Sequence, residues 1–288
     1  MQSYREVELM KKGTQALLYG LGELLFAGAA SAWMIAPDRP SKEQRAMLRN
    51  RFFAHRGLYD SSQGIPENSL AAFRRAAERG YGVELDVRMA RDGVLVISHD
   101  ANLRRMTGAE LMVEEQDFDV LSALHLEGTD EGVPLFADAL DVLFAADVPV
   151  IVEIKPVPRG RRDAVCSAVL AELDSRDGQF CIESFDPMIV RWFRLNAPDI
   201  LRGQLTAQWY RLDEPVPISI AASRVLFNFL GRPQFIAHRV GHKSLAVRAA
   251  EAMGAMRVCW TARAPGQEEF NDAVIFEHYL PPVRFGEE

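Results

Sequence analysis

The chain is poor in cysteine: it has three in 288 residues, and none belongs to a CxxC pair or to a cysteine/histidine spacing. Cys166, Cys181 and Cys259 lie in apolar surroundings, AVCSAV, FCIES and RVCWT, and read as small core residues. Their odd number argues against a disulfide framework and their spacing against a zinc site. Positive charge is also short, because 33 lysines and arginines face 40 aspartates and glutamates, for a net charge of −7. That balance leaves no basic footprint for nucleic acid. No Gly-rich dinucleotide fingerprint follows the first predicted strand, which removes the main support for a nucleotide-binding doubly wound sheet. Internal repeats and low-complexity tracts are missing as well.

What remains is the composition of an ordinary folded protein, 48% hydrophobic and 25% charged. One α/β barrel fills this length and leaves no room for a second full domain. One stretch differs in kind. Residues 16–36, ALLYGLGELLFAGAASAWMIA, are apolar throughout except for Glu23, and their length is close to the ~20 residues a membrane-spanning helix needs. The carboxylate costs about 2.5–3.5 kcal/mol on insertion scales, which the Leu, Phe, Ile, Met and Trp content offsets. The expected organisation is a hydrophobic N-terminal helix, read as a membrane anchor, with its linker over residues 1–49, and a main domain over residues 50–288. Arg5, Lys11 and Lys12 precede the segment, whereas Arg39, Lys42, Arg45, Arg49 and Arg51 follow it, a bias that keeps the main domain cytoplasmic. Two other readings stay open. Lys11 and Lys12 before an apolar run that ends in GAASA also suit a cleaved signal peptide and a secreted or periplasmic protein, and the segment also suits an amphipathic helix packed on the domain.

After the linker APDRPS the elements alternate. RFFAH and GVELDV read as strands, with NSLAAFRRAAERG between them as a helix capped by Asn68 or Ser69 and ended by Gly80. RDGVLVISH adds a turn and another apolar run. Later strands are VPVIVEIK, QFCIESF, ILRGQL, QFIAHR, MRVCWTA and AVIFEH, several of them followed by helical patterns such as RRDAVCSAVLAELDSRDG, PMIVRWFRLNAP and KSLAVRAAEAMG. Apolar strands alternating with amphipathic helices imply parallel pairing with both faces covered. About eight such units fit a closed (β/α)8 TIM barrel. The charged stretch between His99 and Pro149 is expected to form an excursion over one end of it.

Barrel active sites are built at the C-terminal strand ends, and there the polar residues collect. The first strand ends in His55 and Arg56, the second carries Glu84 and Asp86 and its following run ends in His99, the third ends in Glu153 and Lys155, and the fourth in Glu183. Residues two apart on a strand share a face, so Glu84 and Asp86 point together. Unpaired inside a barrel, each carboxylate would cost several kcal/mol. A hard divalent cation turns their repulsion into binding, which favours Ca2+ or Mg2+ over zinc. A single Glu-x-Asp on a strand is commonly a solvated face; the conjunction is what carries weight. Two histidines suit a general base and a general acid, and a cation with Arg56 and Lys155 suits a phosphate. The residues alone thus point to cation-assisted phosphoryl transfer.

The motifs AHRG, PENSLAAF, ELDV, DGVLVISHD, EIK, ESFDP and WTAR occur in the order and spacing of the glycerophosphodiester phosphodiesterase family, which the chain resembles from about Phe52 to Pro282. The resemblance implies a TIM barrel with a small insertion after the second strand. It also implies hydrolysis of a small-molecule glycerophosphodiester to glycerol 3-phosphate and an alcohol. By motif it makes His55 and His99 the acid/base pair, has Arg56 and Lys155 bind the phosphate, and has Glu84, Asp86 and Glu153 ligate the cation. Glu67 becomes a further ligand or a group behind the ligands, and Trp260 either a wall of the glycerol pocket or a core aromatic. The implied reaction runs through attack of a glycerol hydroxyl on phosphorus and hydrolysis of the resulting cyclic phosphate. The N-terminal segment is similar to that of a membrane-anchored bacterial subgroup. Two features depart from the family pattern: Glu277 and His278 stand where a Thr-Asp pair is usual, and residues 209–236 are atypical. Two rival functions are a phospholipase-like enzyme that acts on lipids or releases a cyclic phosphate, and a catalytically silent membrane-associated barrel.

Overall fold

The computed structural model describes residues 28–286. In chain order the first half contains α1 (Lys42–Leu48), β1 (Arg51–His55), α2 (Leu70–Glu78), β2 (Gly82–Met89), β3 (Leu95–Ile97), α3 (Arg104–Thr107), α4 (Phe118–Ser122), α5 (Phe136–Ala145) and β4 (Val150–Ile154). The second half contains α6 (Arg162–Asp174), β5 (Phe180–Ser184), α7 (Pro187–Asn196), β6 (Arg202–Thr206), α8 (Val216–Ser223), α9 (Asn228–Gly231), β7 (Phe235–Arg239), α10 (Leu245–Ala252), β8 (Met256–Ala262) and β9 (Ala273–Phe276). β1 pairs in parallel with β2 on one side and with β9 on the other, and the remaining parallel neighbours run β2, β4, β5, β6, β7, β8, β9. The sheet therefore closes into the expected eight-stranded parallel barrel.

Local chemistry explains the elements. α2 begins where the Ser69 hydroxyl accepts from the Ala72 N–H, and it ends at Gly80, whose φ of +75° only glycine adopts without strain. α7 starts with Pro187 behind Asp186, whose side chain accepts from the Met188 N–H. β3 is not a stave of the barrel: it folds back antiparallel on β2 through the turn at Gly93. Between β8 and β9 the connecting helix shrinks to a 3-10 turn, Gln267–Glu269.

The insertion after β2 has a small core of its own, built from Ala90, Val96, Leu103, Met106, Val113, Leu121, Leu126 and Val133. It is shorter than expected. The stretch FADALDVLFA, which the sequence reading placed inside the excursion, is α5, the barrel helix between β2 and β4. It buries Phe136, Ala139, Leu140 and Leu143 at helical spacing.

Alternate residues of the staves fill the barrel. At its N-terminal end the filling is apolar: Phe53, Ile151, Cys181, Leu201, Phe235, Met256 and Ile275 pack with Met47 and Leu48 of α1. α1 thus plugs the barrel from below, its first turn fixed by a capping box between Ser41 and Gln44. Full burial of a leucine such as Leu48 is worth roughly 1.5–3 kcal/mol. Gly203 makes room for the packing, because a Cβ there would lie 2.1 Å from the Phe235 ring.

Residues 33–38 dock on this same end. Ile35 is buried, its carbonyl accepts from Asn228 Nδ2, Arg232 donates to the Trp33 and Ala36 carbonyls, and Asp38 pairs with Arg202 at the start of β6. The anchor expected over residues 16–36 falls mostly outside the described residues; its described end, residues 28–35, is helical. Among the described residues no helix is long and apolar enough to cross a membrane.

Candidate active site

Above the apolar layers the inward positions turn polar. Strand register sets His55 beside Glu84, Asp86 beside Glu153, and Glu153 beside Glu183. All five side chains are buried. Oxygens of Glu84, Asp86 and Glu153 lie within 4.8 Å of one another, close enough for one cation to touch all three. Glu84 Oε1 and Glu183 Oε2 are buried without a hydrogen-bond partner, an arrangement that an oxygen-seeking cation or a proton would satisfy. The donor set is oxygen only, as a hard divalent ion requires.

The charges in this layer are arranged unequally. Lys155 Nζ lies 2.6 Å from Asp86 Oδ1 and 2.7 Å from Glu153 Oε1, and Asn68 Nδ2 donates to Asp86 Oδ2 at 2.7 Å. Burial alone would raise the Asp86 pKa, but Lys155, His99 and Arg56 hold it well below the usual aspartate value. Burial raises Glu84 well above the usual glutamate value, and Asp86, Glu153 and Glu183 push it further. Glu153 is raised chiefly by burial, in spite of Lys155, and Lys155 is itself raised because Asp86 and Glu153 outweigh its burial.

Two imidazoles flank the carboxylates. His55 Nδ1 is 2.7 Å from Glu277 Oε2, and its Nε2 points toward Glu84 at 3.8 Å. Burial lowers the His55 pKa, and Glu277 partly counters it. Glu277 itself is pulled down to about 2: His55 and Arg263 outweigh its burial. It is therefore a carboxylate that can only accept, so His55 Nδ1 carries the proton and Nε2 keeps its lone pair. His99 repeats the pattern, with Nδ1 2.6 Å from Asp100 Oδ1. Asp100 is held low, first by that hydrogen bond and then by Arg105.

Arg56 occupies the left-handed region, φ 57°, and its N–H donates to Glu84 Oε2 at 3.1 Å. Its guanidinium reaches Glu67 at 2.8 Å and Asp86 at 3.5 Å. Glu67 stands apart from the three clustered carboxylates, its Oε1 accepting from both Arg56 and Arg105. Trp260 is half-buried on β8: its Nε1 donates to the Thr206 and Ala237 carbonyls, and its ring packs against the apolar core and meets Phe185 edge-on at 5.8 Å. The structure thus brings His55, Arg56, Glu84, Asp86, His99, Glu153 and Lys155 to one end of the barrel. The sequence offers Asn68 only as a candidate helix cap, a place that Ser69 takes, and points to no role in the site for Asn68, Asp100, Arg105, Glu183 or Glu277. The signal for Asn68 was its position before a helix N-cap in a residue type that tolerates positive φ, which here is 54°.

Residues 55–278 match the model of the Glycerophosphoryl diester phosphodiesterase family. The chain belongs to this family. A Glycerophosphodiester phosphodiesterase of Caldanaerobacter subterraneus subsp. tengcongensis is 33% identical over 115 residues, 38% of this chain and 46% of that protein. Glycerophosphodiester phosphodiesterase 1 of Rattus norvegicus is 31% identical over 186 residues, 59% of this chain and 54% of its own length. The chain thus spans about half the length of these curated relatives. Among solved structures, an Oleispira antarctica phosphodiesterase in complex with the product sn-glycerol-3-phosphate superposes with a TM-score of 0.66 at 22% identity, covering 81% of this chain and 94% of that one. A second, described as a glycerophosphoryl diester phosphodiesterase of Silicibacter pomeroyi, has a TM-score of 0.64 at 23% identity. Both likenesses are of fold.

Glu183 yields a testable consequence of the buried layer. Burial, with Glu153 and Asp86 close by, lifts its pKa well above the ordinary 4.5, so the folded protein keeps a proton that the unfolded chain releases. A group raised in this way lowers stability as pH climbs from the unfolded value toward the folded one. Glu183→Gln removes the titration. In metal-free protein, the stability of the variant relative to the wild type should therefore rise between about pH 4 and about pH 7. Denaturant unfolding at both pH values checks this, and an unchanged difference would refute it.

Proposed function

We propose that this family member hydrolyses glycerophosphodiesters to glycerol 3-phosphate and an alcohol, assisted by Ca2+ or Mg2+. The observation that carries the reading is the pair of imidazoles, each held through Nδ1 by a carboxylate, on either side of a cluster of three buried acids. The activities for which the relatives are named and the product bound in the Oleispira structure point the same way. A divalent ion held by Glu84, Asp86 and Glu153 would supply positive charge to the phosphoryl oxygens.

The chain's own residues account for the rest. Arg56 and Lys155 add positive charge beside the phosphate, and the barrel below them is dry. A hydroxyl of the substrate's glycerol attacks phosphorus, forming a P–O bond while the bond to the alcohol breaks. One histidine accepts the hydroxyl proton at Nε2, and the other gives its proton to the departing alkoxide. Water then opens the cyclic phosphate with the histidine roles reversed, returning both imidazoles to their starting state. Asp100 and Glu277 keep each ring turned with Nε2 available throughout.

Purified protein should release glycerol 3-phosphate from glycerophosphocholine, lose the activity on chelation and regain it with Ca2+ or Mg2+. A cyclic phosphate that persists would favour the phospholipase-like reading, and no turnover with either ion would favour the silent barrel. The phospholipase-like alternative has one observation behind it: Trp209, Tyr210, Val216 and Ile218 are exposed beside the mouth, so a lysophospholipid belongs in the same assay.

His55→Ala and His99→Ala should each lower kcat by at least roughly 10²-fold with the circular dichroism unchanged. Glu277→Gln should lower kcat less. It should also move to lower pH the limb of the pH–rate profile that follows His55, because Glu277 raises the His55 pKa. Wild-type rates in both histidine variants would overturn the assignment.

The same reading includes an anchor over residues 16–36 that holds the barrel at the cytoplasmic face of a membrane, as in a membrane-anchored subgroup of the family. Its support is the length and polarity of that segment and the basic residues after it. Because residues 33–38 dock at the plugged end, the mouth opens at the end opposite the one where the chain enters the barrel, which suits water-soluble diesters better than bilayer lipids. Membrane fractionation, with protease added to intact and to permeabilised cells, tests the anchor; recovery of the protein in the soluble fraction would refute it.

A further inference from the structure

The half of the mouth opposite the carboxylates is basic. A cavity of about 400 Å³ opens there between the loops that follow β6, β7 and β8, lined among others by Gln208, Tyr210, Arg211, Arg239, Thr261 and Arg263. Three guanidinium groups converge on it in a chain whose net charge is negative. Only Arg263 has a carboxylate partner, Glu277 at 2.6 Å, and that carboxylate is shared with His55. Among the described residues neither Arg211 nor Arg239 has an ion pair. Arg239 follows Phe235 and Ala237 on the inward face of β7, so it projects into the mouth. Its guanidinium stacks 5.7 Å above the ring of Trp260, whose two hydrogen bonds to strand carbonyls fix the platform. Arg211 rests on Tyr210 at 5.8 Å.

Holding these cations together is unfavourable without an anion. Burial, followed by repulsion from Arg211 and Arg263, lowers the Arg239 pKa, and Glu277 only partly offsets this. The geometry is that of a preformed anion site: planar guanidinium groups fixed by aromatic faces, an adjoining side-chain amide, and a volume sufficient for a phosphorylated fragment. The site is continuous with the acid/base pair, because Arg263 and His55 hold the two oxygens of one carboxylate.

We propose that this cavity binds a second phosphate of the substrate, so that the enzyme prefers glycerophosphodiesters bearing a further phosphate group over those with a neutral or cationic alcohol. The proposal rests on the diesterase reading above and narrows its substrate class. The second phosphate has two sources, an alcohol that carries a phosphomonoester or a glycerol that continues into another glycerophosphate unit.

The test compares kcat/KM for glycerophosphoinositol 4-phosphate, bis(glycerophospho)glycerol and glycerophosphocholine. One or both phosphate-rich diesters should be favoured over the choline diester by roughly tenfold or more at low salt, and the better of the two identifies the source. Arg211→Ala and Arg239→Ala should each cut that selectivity ratio severalfold, chiefly through KM; Arg263 is left in place because it also holds Glu277. A ratio near one in the wild type, or a ratio unmoved by both substitutions, overturns the proposal. A calorimetric titration of metal-free protein with pyrophosphate provides a readout independent of turnover. Both variants should bind it at least severalfold more weakly than the wild type, and equal affinities refute the site. If no diester is cleaved, the diesterase reading fails and the titration alone decides whether the anion site exists.

Discussion

The structure is governed by the crowding of like charge in a dry place. Four carboxylates, Glu84, Asp86, Glu153 and Glu183, share one layer inside a closed barrel. Water cannot screen them there, and each would cost several kcal/mol if left ionised and alone. The chain resolves the conflict unevenly. Asp86 receives Lys155, Arg56 and Asn68, and stays charged. Glu84, two residues away on the same strand, receives one backbone N–H and faces His55 Nε2 at 3.8 Å, and the charges that act on it most strongly are other acids. Neighbours on one strand thus end with opposite proton affinities, because one faces cations and the other faces anions. That asymmetry leaves Glu84, Glu153 and Glu183 in need of either protons or a cation, and it explains how a layer so costly to fold can still serve a reaction.

The scaffold beneath makes the polar layer affordable. Phe53, Ile151, Phe235 and Met256 fill the lower barrel, α1 closes it from below, and the absence of a side chain at Gly203 admits the Phe235 ring. With packing concentrated at one end, the other is free to hold side chains chosen for charge. There the mouth divides, with carboxylates and imidazoles on β1, β2, β4 and β5 and just after β3, and arginines at the end of β7 and in the loops after β6 and β8. Glu277 joins the two halves, since it bonds to His55 with one oxygen and to Arg263 with the other.

Much of this was legible in the sequence, for a definite reason. A strand has period two, so Glu84, Asp86, Glu153 and Lys155 stand out in apolar runs, and their shared face follows from arithmetic. The histidines were legible because they sit at strand ends. Partnerships across the barrel were not. Glu277 lies 222 residues from His55, and nothing local distinguishes a residue that orients an imidazole from one that leaves a strand. Arg239 ends QFIAHR as any strand exit might, and only closure of the sheet turns it toward Arg211 and Arg263. α5 was hidden by its approach: the charged stretch EGTDEGVP runs directly into FADALDVLFA, whose hydrophobic spacing then passed for the end of a loop. Register, by contrast, needs no long-range knowledge once the strands are identified, and this is why the grouping of Glu84, Asp86 and Glu153 could be read from the sequence, whereas the place of Glu67 among the arginines could not.

The closure of the sheet has an implication for biosynthesis. β1 is hydrogen-bonded on both sides, to β2 and to β9, and β9 is the last strand described. During translation the early staves can line up, but His55 waits for Glu277 until nearly the whole barrel sequence has left the ribosome. A nascent chain could therefore gather its acidic cluster and its local His99–Asp100 pair well before His55 met its orienting carboxylate, and the two-imidazole arrangement would be complete only once the ring of strands locked shut.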